Sequence, residues 1–225
     1  MKILNINSYY YSSTVHRNLQ KAMHDNGIES ISYVPLYKGY IPRDECNYGI
    51  EDHVQKSECY NKLYRYIFHL KHNKILIDIK QSINFNDYDC LHAHSLFSNG
   101  YIAMKIKEKF NLPYIVAVRD TDLNTFFKYM IHLRHLGLSI LKCADKIVFM
   151  SESYKNLLIY RYVPRSLRED VEKKAIIIPN GIDSFWLNNK GNIKHMQNSN
   201  IIKLLYVGAI NRRKNVTTTL KAIRI

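Results

Sequence analysis

The chain has 225 residues, of which 46% are hydrophobic and 23% charged, with a formal net charge of +14 at neutral pH. This composition excludes a disordered chain, and no apolar run approaches the roughly 20 residues that cross a bilayer as a helix. The charge is lopsided: residues 1–183 hold 25 Lys and Arg and all 19 Asp and Glu, whereas residues 184–225 hold 8 Lys and Arg and no acid. A basic balance favours anionic partners, but no helix-turn-helix, RRM or zinc-finger pattern accompanies it, so nucleic acid is not expected. Cys46, Cys59, Cys90 and Cys143 lack zinc-site spacing and read as reduced cytosolic thiols.

In chain order, KILNIN (2–7) alternates apolar and polar residues as a strand does, and is too short for the apolar region of a signal peptide. Val15, Leu19, Ala22 and Met23 recur at helical spacing within residues 14–26, and Gly27 stops that helix. IESISYV (28–34) predicts a second strand, and residues 36–58 an irregular excursion. Residues 60–77 interleave cations with aromatics and predict a helix that places Leu63, Tyr66, Ile67 and Leu70 on one face.

DCLHAH (89–94) returns to the sheet, and residues 98–110 form a helix ended by Asn111 and Pro113. YIVAV (114–118) reads as a strand buried on both faces, residues 125–143 as one long helix, and KIVFM (146–150) as the next strand, with Ser151 capping a following helix. AIII (175–178) is the last strand of this series and leads into Pro179-Asn180-Gly181. The alternation predicts an α/β fold, a doubly wound, Rossmann-like parallel sheet. The domains are read as 1–183, a linker at 184–200, and 201–225, where KLLYVG starts a strand and Val216–Ile223 a helix.

Four segments carry a family resemblance. They are Tyr88-Asp89-Cys90-Leu91-His92-Ala93-His94, Ala144-Asp145-Lys146-Ile147-Val148 with Ser151, Ile178-Pro179-Asn180-Gly181-Ile182-Asp183 with Phe185, and Tyr206-Val207-Gly208 with Lys214. In this order they resemble the family 4 retaining glycosyltransferases of GT-B fold, built from two Rossmann-like lobes. The resemblance implies an acceptor-side first lobe at 1–183 and, at 201–225, the first βα unit of a donor-binding lobe. It implies a nucleotide-diphospho-sugar donor, a polysaccharide or lipid-linked glycan acceptor, a role in bacterial surface-polysaccharide or capsule biosynthesis, and no cofactor or required metal.

Negative charge builds on the departing nucleoside diphosphate, so fixed cations and backbone N–H groups aimed there lower the barrier. By resemblance Gly208, Arg213 and Lys214 are the donor-phosphate candidates. Ser8, Tyr9 and His94 are the acceptor-binding candidates, and Arg119 and Asp120 the catalytic ones. Arg119 stands where many relatives place a histidine; it cannot act as a base but can hold a phosphate or carboxylate. The structural alternative for it is an ion pair with Asp120 or Asp122. His92 and His94 are expected on opposite sides of their strand, His94 toward the cleft and His92 packed. Gly208-Ala209 replaces a Gly-Arg pair of many relatives, and the first β-α loop has Asn7 to Ser13 in place of paired glycines.

The family's E-x7-E region does not occur in the sequence. The chain is therefore expected to be incomplete and inactive alone, or to be a non-catalytic lobe: a truncated product, or one chain of a two-chain enzyme whose partner supplies the donor lobe. Residues 60–77 further suggest an anionic membrane surface as a partner, placing the chain in the cytoplasm or at the inner face of the plasma membrane.

Overall fold

A computed structural model describes residues 1–41, 53–189, 191, 204–208 and 210–223. Two compact units result, Met1–Ser184 and Phe185–Ile225.

The first unit is an α/β sandwich around one parallel sheet. Its strands are β1 (Lys2–Ile6), β2 (Glu29–Tyr37), β3 (Val54–Tyr60), β4 (Cys90–Ala93), β5 (Tyr114–Val118), β6 (Lys146–Phe149) and β7 (Ala175–Ile177). They lie in the order β3-β2-β1-β4-β5-β6-β7, and every neighbouring pair is parallel. The chain runs outward from β1 through β2 to β3, then crosses back to β4 and runs the other way. That reversal makes the gap between the ends of β1 and β4 the switch point where such sheets bind ligands.

Helix α1 (Thr14–Asp25) joins β1 to β2; α2 (Phe68–Ser82), α3 (Gly100–Phe110), α4 (Arg134–Cys143), α5 (Glu152–Arg161) and α6 (Arg165–Lys174) follow from β3 onward. Right-handed crossovers in opposite directions put α1 on one face and the later helices on the other. The main core lies beneath those later helices, where Leu4, Tyr33, Leu91, Phe97, Tyr114, Phe127 and Phe149 are fully buried. Gly137 lets α4 approach closely: a Cβ there would sit 2.6 Å from Phe97 Cζ and 2.9 Å from Phe127 Cζ. Helix α1 ends at Gly27, which takes φ +71° in the left-handed region.

Three expectations for the first unit are corrected. β3 lies in the stretch read as irregular. It is an edge strand of polar sequence, VQKSECY, mostly half-exposed, so it has little apolar alternation to betray it. The helix expected over 60–77 is broken. Asn61 caps a 3₁₀ turn at Lys62–Tyr66, its side chain accepting from the Leu63 N–H, and Ile67 is extended before α2 begins. Leu63, Tyr66 and Ile67 therefore do not continue the buried face of α2, which is His72, Ile75, Leu76 and Ile79. The helix expected over 125–143 is three pieces: a wide π-type turn at Asp122–Phe127, a 3₁₀ turn at Ile131–Leu133, and α4. The Ser151 cap is present, with its Oγ accepting from the Tyr154 N–H at 3.4 Å.

Helix α7 (Ser184–Asn188) opens the stretch read as linker. The second unit also holds a 3₁₀ turn at Arg212–Lys214 and helix α8 (Val216–Ile223), where a helix was expected. Residues 204–207, expected in a strand, pair with no other strand among the described residues and are exposed. A strand needs a hydrogen-bonded neighbour to exist as one. The remainder of the expected linker, 190 and 192–200, lies outside the described residues.

Candidate functional site

Among the described residues, two cavities on the first unit bear on function. The larger, about 1000 Å3, lies at the carboxyl ends of β1, β2 and β3. Ser8, Tyr9 and Tyr11 to Thr14 form one wall, Pro35 to Tyr37 with Tyr40 and Tyr60 another, and Arg17, Ile41, Arg65, Lys71, Ser98 and Phe126 complete it. Its position follows from the topology: the segment after β1 is held at the switch point by α3's approach. Ser8 Oγ donates to Asn99 Oδ1 at 2.6 Å, and the Ser8 N–H reaches the same oxygen at 3.3 Å. Asn7 Oδ1 accepts from the Tyr9 N–H at 3.1 Å. The buried amide nitrogens of Asn7 and Asn99 have no partner among the described residues, so this junction retains donors that the described part of the fold does not use.

The chemistry of the larger cavity is aromatic, hydroxylic and cationic. Burial raises the Tyr9 phenol, with the Asp122 charge adding, and raises Tyr60 to about 12. Lys71, in the first turn of α2, is lowered to about 8 by burial and then by the Arg65 charge. Its ammonium lies 5.3 Å from the centroid of the Tyr60 ring, and the guanidinium of Arg65 lies 5.7 Å from that of Tyr37. No carboxylate lines this cavity among the described residues.

The smaller cavity, about 410 Å3, lies between α1 and the sheet face that α1 leaves partly open. Ile3, Ile115, Ala117 and Val148 floor it, Val15, Leu19 and Ala22 wall it, and His16, His92, Arg119 and Asn180 supply its polar edge.

Arg119 follows β5 directly, so its side chain leaves the sheet at a strand end. Its Nε donates to the His94 carbonyl at 3.1 Å, and its Nη1 to Met150 Sδ at 2.8 Å and Asn180 Oδ1 at 2.7 Å. The ion pairs considered for it do not form. Asp122 takes the Arg119 backbone N–H at 2.8 Å, not the guanidinium, and also accepts from the Leu96 and Phe97 N–H groups at 3.0 and 3.1 Å. Burial pushes Asp122 up to about 6, against those three hydrogen bonds and the Arg119 charge. Asp122 thus ties the turn after β4 to the turn after β5. Asp120 accepts from Asn124 Nδ2 at 2.8 Å and from the Tyr154 hydroxyl at 2.9 Å.

His92 and His94 are placed differently from the expectation. They are two residues apart and so share a face of β4; their ring centroids are 4.1 Å apart. His94 is the packed one, 2% exposed, and His92 lines the smaller cavity. Asn5 Oδ1 can only accept, so His92 Nδ1 and His94 Nε2, each 3.2 Å away, carry protons toward it. His94 Nδ1 is then the acceptor for His16 Nδ1–H at 3.0 Å. Asn5 Nδ2 continues the chain to Gln20 Oε1 at 3.0 Å, which also accepts from Ser32 Oγ at 2.7 Å. Burial, then the Arg119 charge, lowers His16 and His92 to about 4 each. His94 lies well below its usual value, by burial and then by the neighbouring His92, His16 and Arg119. All three imidazoles are neutral at pH 7.

The expected residues are therefore divided. Ser8 and Tyr9 line the larger cavity, Arg119 the smaller, His94 is packed between neighbouring side chains, and Asp120 lines neither. Gly208 and Lys214 stand in the second unit, where Asn211 Oδ1 accepts from the Lys214 N–H at 3.1 Å; the Arg213 side chain lies outside the described residues. Sequence reasoning missed Lys71, Arg65, Tyr37 and Tyr60 as cavity residues. The signal was the basic, aromatic run after residue 60, which reads equally well as a lipid-facing helix. Among the described residues no group of three or more His, Cys, Asp or Glu side chains is arranged to hold a metal ion.

Comparison with known proteins bears on this geometry. An uncharacterized glycosyltransferase from Methanocaldococcus jannaschii is 26% identical over 145 residues, covering 64% of this chain and 36% of its own length. The chain thus spans about a third of that curated relative. A sucrose-phosphate synthase structure from Thermosynechococcus elongatus matches with a TM-score of 0.59 at 16% identity, covering 84% of this chain and 94% of that one, a likeness of fold. The model of Glycosyltransferase Family 4 matches residues 12–184, most of the chain and nearly all of the unit that holds both cavities, and the chain belongs to that family.

Proposed function

We propose that this chain provides the acceptor-holding lobe of a retaining glycosyltransferase that moves a sugar from a nucleotide-diphospho-sugar to a polysaccharide or lipid-linked glycan. The observation that carries the reading is the cavity of about 1000 Å3 at the carboxyl ends of β1 to β3, in the part of the chain that the family model matches. Its aromatic rings offer apolar faces to sugar C–H groups, and Ser8, Ser12, Ser13 and Ser98 offer hydroxyls to sugar oxygens. Both serve a glycan site: ring faces for the sugar's apolar face, and fixed polar groups that set its orientation.

In this reading the cavity orients an acceptor hydroxyl, and the alignment of acceptor with donor supplies much of the rate. Gly208, Arg213 and Lys214 are proposed to face the donor phosphates, and Lys214 to stabilise charge on the departing diphosphate. Arg119 and Asp120 are proposed to act beside the reacting centre. Arg119 remains cationic, so its part is electrostatic and not proton abstraction.

The test is titration of glycan fragments against the protein and its Tyr37→Ala and Ser8→Ala variants. Glycan binding weakened several-fold by those variants supports the reading. Glycan binding that ignores both variants, or its complete absence, rejects the acceptor assignment.

An anionic membrane surface is proposed as a further partner. Leu63, Tyr66 and Ile67 are 70%, 88% and 56% exposed, and the exposed Lys62 and Lys74 lie in the same stretch of chain. An apolar, basic ridge of this kind suits the headgroup boundary of an anionic leaflet. No helix among the described residues is long and apolar enough to cross a membrane.

A further inference from the structure

The larger cavity holds more positive charge than a neutral sugar needs. Arg17, Arg65 and Lys71 all line it, and among the described residues lining it there is no carboxylate. Arg17 is engaged with the fold, its Nη1 donating to the Tyr10 and Tyr11 carbonyls at 3.3 Å. Lys71 and Arg65 are different. The ion pairs formed among the described residues involve other side chains. The neighbours of both cations are aromatic faces, Tyr60 for Lys71 and Tyr37 for Arg65. Lys62 also reaches Tyr37, at 5.7 Å from its centroid.

Two like charges held on one wall, one of them half-buried, oppose folding. Desolvation and the Arg65 charge already lower Lys71 to about 8. Such an arrangement is stabilised when a ligand brings negative charge to it.

We propose that the larger cavity recognises a negatively charged acceptor, a glycan bearing a phosphate or carboxylate, whose anionic group lies between Lys71 and Arg65 while its sugar ring rests on the tyrosine walls. The inference rests on the acceptor-side reading above and narrows it to a substrate class. The aromatic residues give the ring a surface, and Lys71 and Arg65 give charge selection. Cation and ring sites adjoin because Tyr37 and Tyr60 end neighbouring strands, β2 and β3, directly beside the first turn of α2.

The experiment is calorimetric titration of the 225-residue protein with glucose 1-phosphate, glucuronate and glucose at low salt, repeated with Lys71→Met, Lys71→Arg and Arg65→Gln variants. A charge-assisted contact in a half-buried site discriminates by about 10-fold or more. At least one charged sugar is expected to bind about 10-fold or more tighter than glucose, with affinity falling as salt is added. Lys71→Met and Arg65→Gln each remove most of that advantage, and Lys71→Arg restores it.

Lys71→Met also relieves a buried charge, so its melting temperature is expected to hold or rise, which separates lost binding from lost folding. Equal affinity for all three sugars, with binding sensitive to Tyr37→Ala, overturns the charge assignment and leaves the acceptor reading standing. Charged sugars that bind but ignore Lys71→Met place the anion elsewhere and overturn it as well. Failure of all three sugars to bind overturns both readings. Binding of phosphatidylglycerol vesicles that needs Lys71, without binding of any soluble charged sugar, assigns the cations to a lipid headgroup and overturns the glycan proposal.

Discussion

The guanidinium of Arg119, at the end of β5, donates to Asn180 Oδ1 in the turn after β7 at 2.7 Å. β6 lies between those two strands, so the bond bridges its end, where Met150 Sδ also meets the Arg119 Nη1. With the His94 carbonyl on its other side, one side chain ties the ends of β4, β6 and β7. Asn180, in the Ile-Pro-Asn-Gly turn, thereby anchors that turn to the centre of the sheet.

Arg119→Ala is expected to cost about 2–3 kcal/mol, because the His94 carbonyl is left without its charged donor and the turn after β7 loses its anchor. Asn180→Ala, at an exposed position, is expected to cost about 1 kcal/mol or less. Arg119→Lys keeps the charge without the fork and should recover only part of the loss. Urea denaturation of the three variants measures this. A cost below about 0.5 kcal/mol for Arg119→Ala, the low end for a single hydrogen bond, would show that the clasp does not hold the strand ends in solution.

The His16, His94, His92 and Asn5 chain makes the fold sensitive to acid. His16 and His92 are lowered from 6.5 to about 4 in the folded state. Between those values the unfolded chain binds more protons than the folded one, so stability falls as pH drops from 6.5 toward 4. At about 1.4 kcal/mol per pH unit for each group, the buried His16 alone contributes about 3 kcal/mol. Asp122 acts in the opposite sense. Its folded value is raised to about 6 from 3.8, so between these values protonation favours the folded state. It offsets one imidazole, leaving a net loss. His16→Phe should flatten the slope between pH 6.5 and 4 in thermal melts, and an unchanged slope in that variant refutes the assignment.

The ridge at Leu63, Tyr66 and Ile67 makes the membrane proposal measurable. Each cation near an anionic leaflet contributes about 1 kcal/mol, and the three apolar side chains are already exposed, so their replacement leaves the fold intact. Flotation with phosphatidylglycerol vesicles is expected to carry the protein at low salt, and with phosphatidylcholine vesicles much less. Leu63→Asp with Ile67→Asp should reduce flotation on anionic vesicles several-fold. Indifference to both lipid charge and these substitutions excludes the membrane as a partner.

Much of the first unit was legible because parallel strands buried on both faces are short apolar runs: Tyr114–Val118 coincides with its expected span. What escaped was structure that buries little. β3 is a polar edge strand, held by backbone pairing to β2, and Val54 to Tyr60 show no alternation that a core would impose. The break at Ile67 was hidden because its cause is a cap at Asn61 and a turn, while helical spacing of apolar residues runs on through it. The wrong placement of His92 and His94 came from a misapplied period, since residues two apart on a strand share a face. The motifs of the first unit marked its strand ends but not the partners of each side chain, and the Tyr206-Val207-Gly208 motif fell on residues that form no strand among those described. That Arg119 would bond Asn180, 61 positions away, follows from the order of β5, β6 and β7 in space, which no local pattern encodes.

The proposed donor-phosphate residues allow the last prediction. Gly208 and Lys214 stand in a unit whose described residues are almost all exposed, Leu205, Val207 and Ile210 by 89%, 83% and 85%. Helix α8 buries no residue, and residues 204–207 have no strand partner among the described residues. A phosphate site works through N–H groups and cations fixed before the ligand arrives, and fixing them after binding costs conformational entropy. The 225-residue chain is therefore expected to bind UDP, GDP and ADP with dissociation constants above about 1 mM, a free energy of only about 4 kcal/mol, and to turn over no nucleotide sugar by itself. Amides of residues 204–207 should exchange with solvent deuterium at the rate of an open chain, while those of β5 are protected. Titration calorimetry and hydrogen exchange check both halves. Micromolar nucleotide binding that Lys214→Ala abolishes, together with slow exchange at 204–207, would show that this segment is ordered into a working donor site and would refute the prediction.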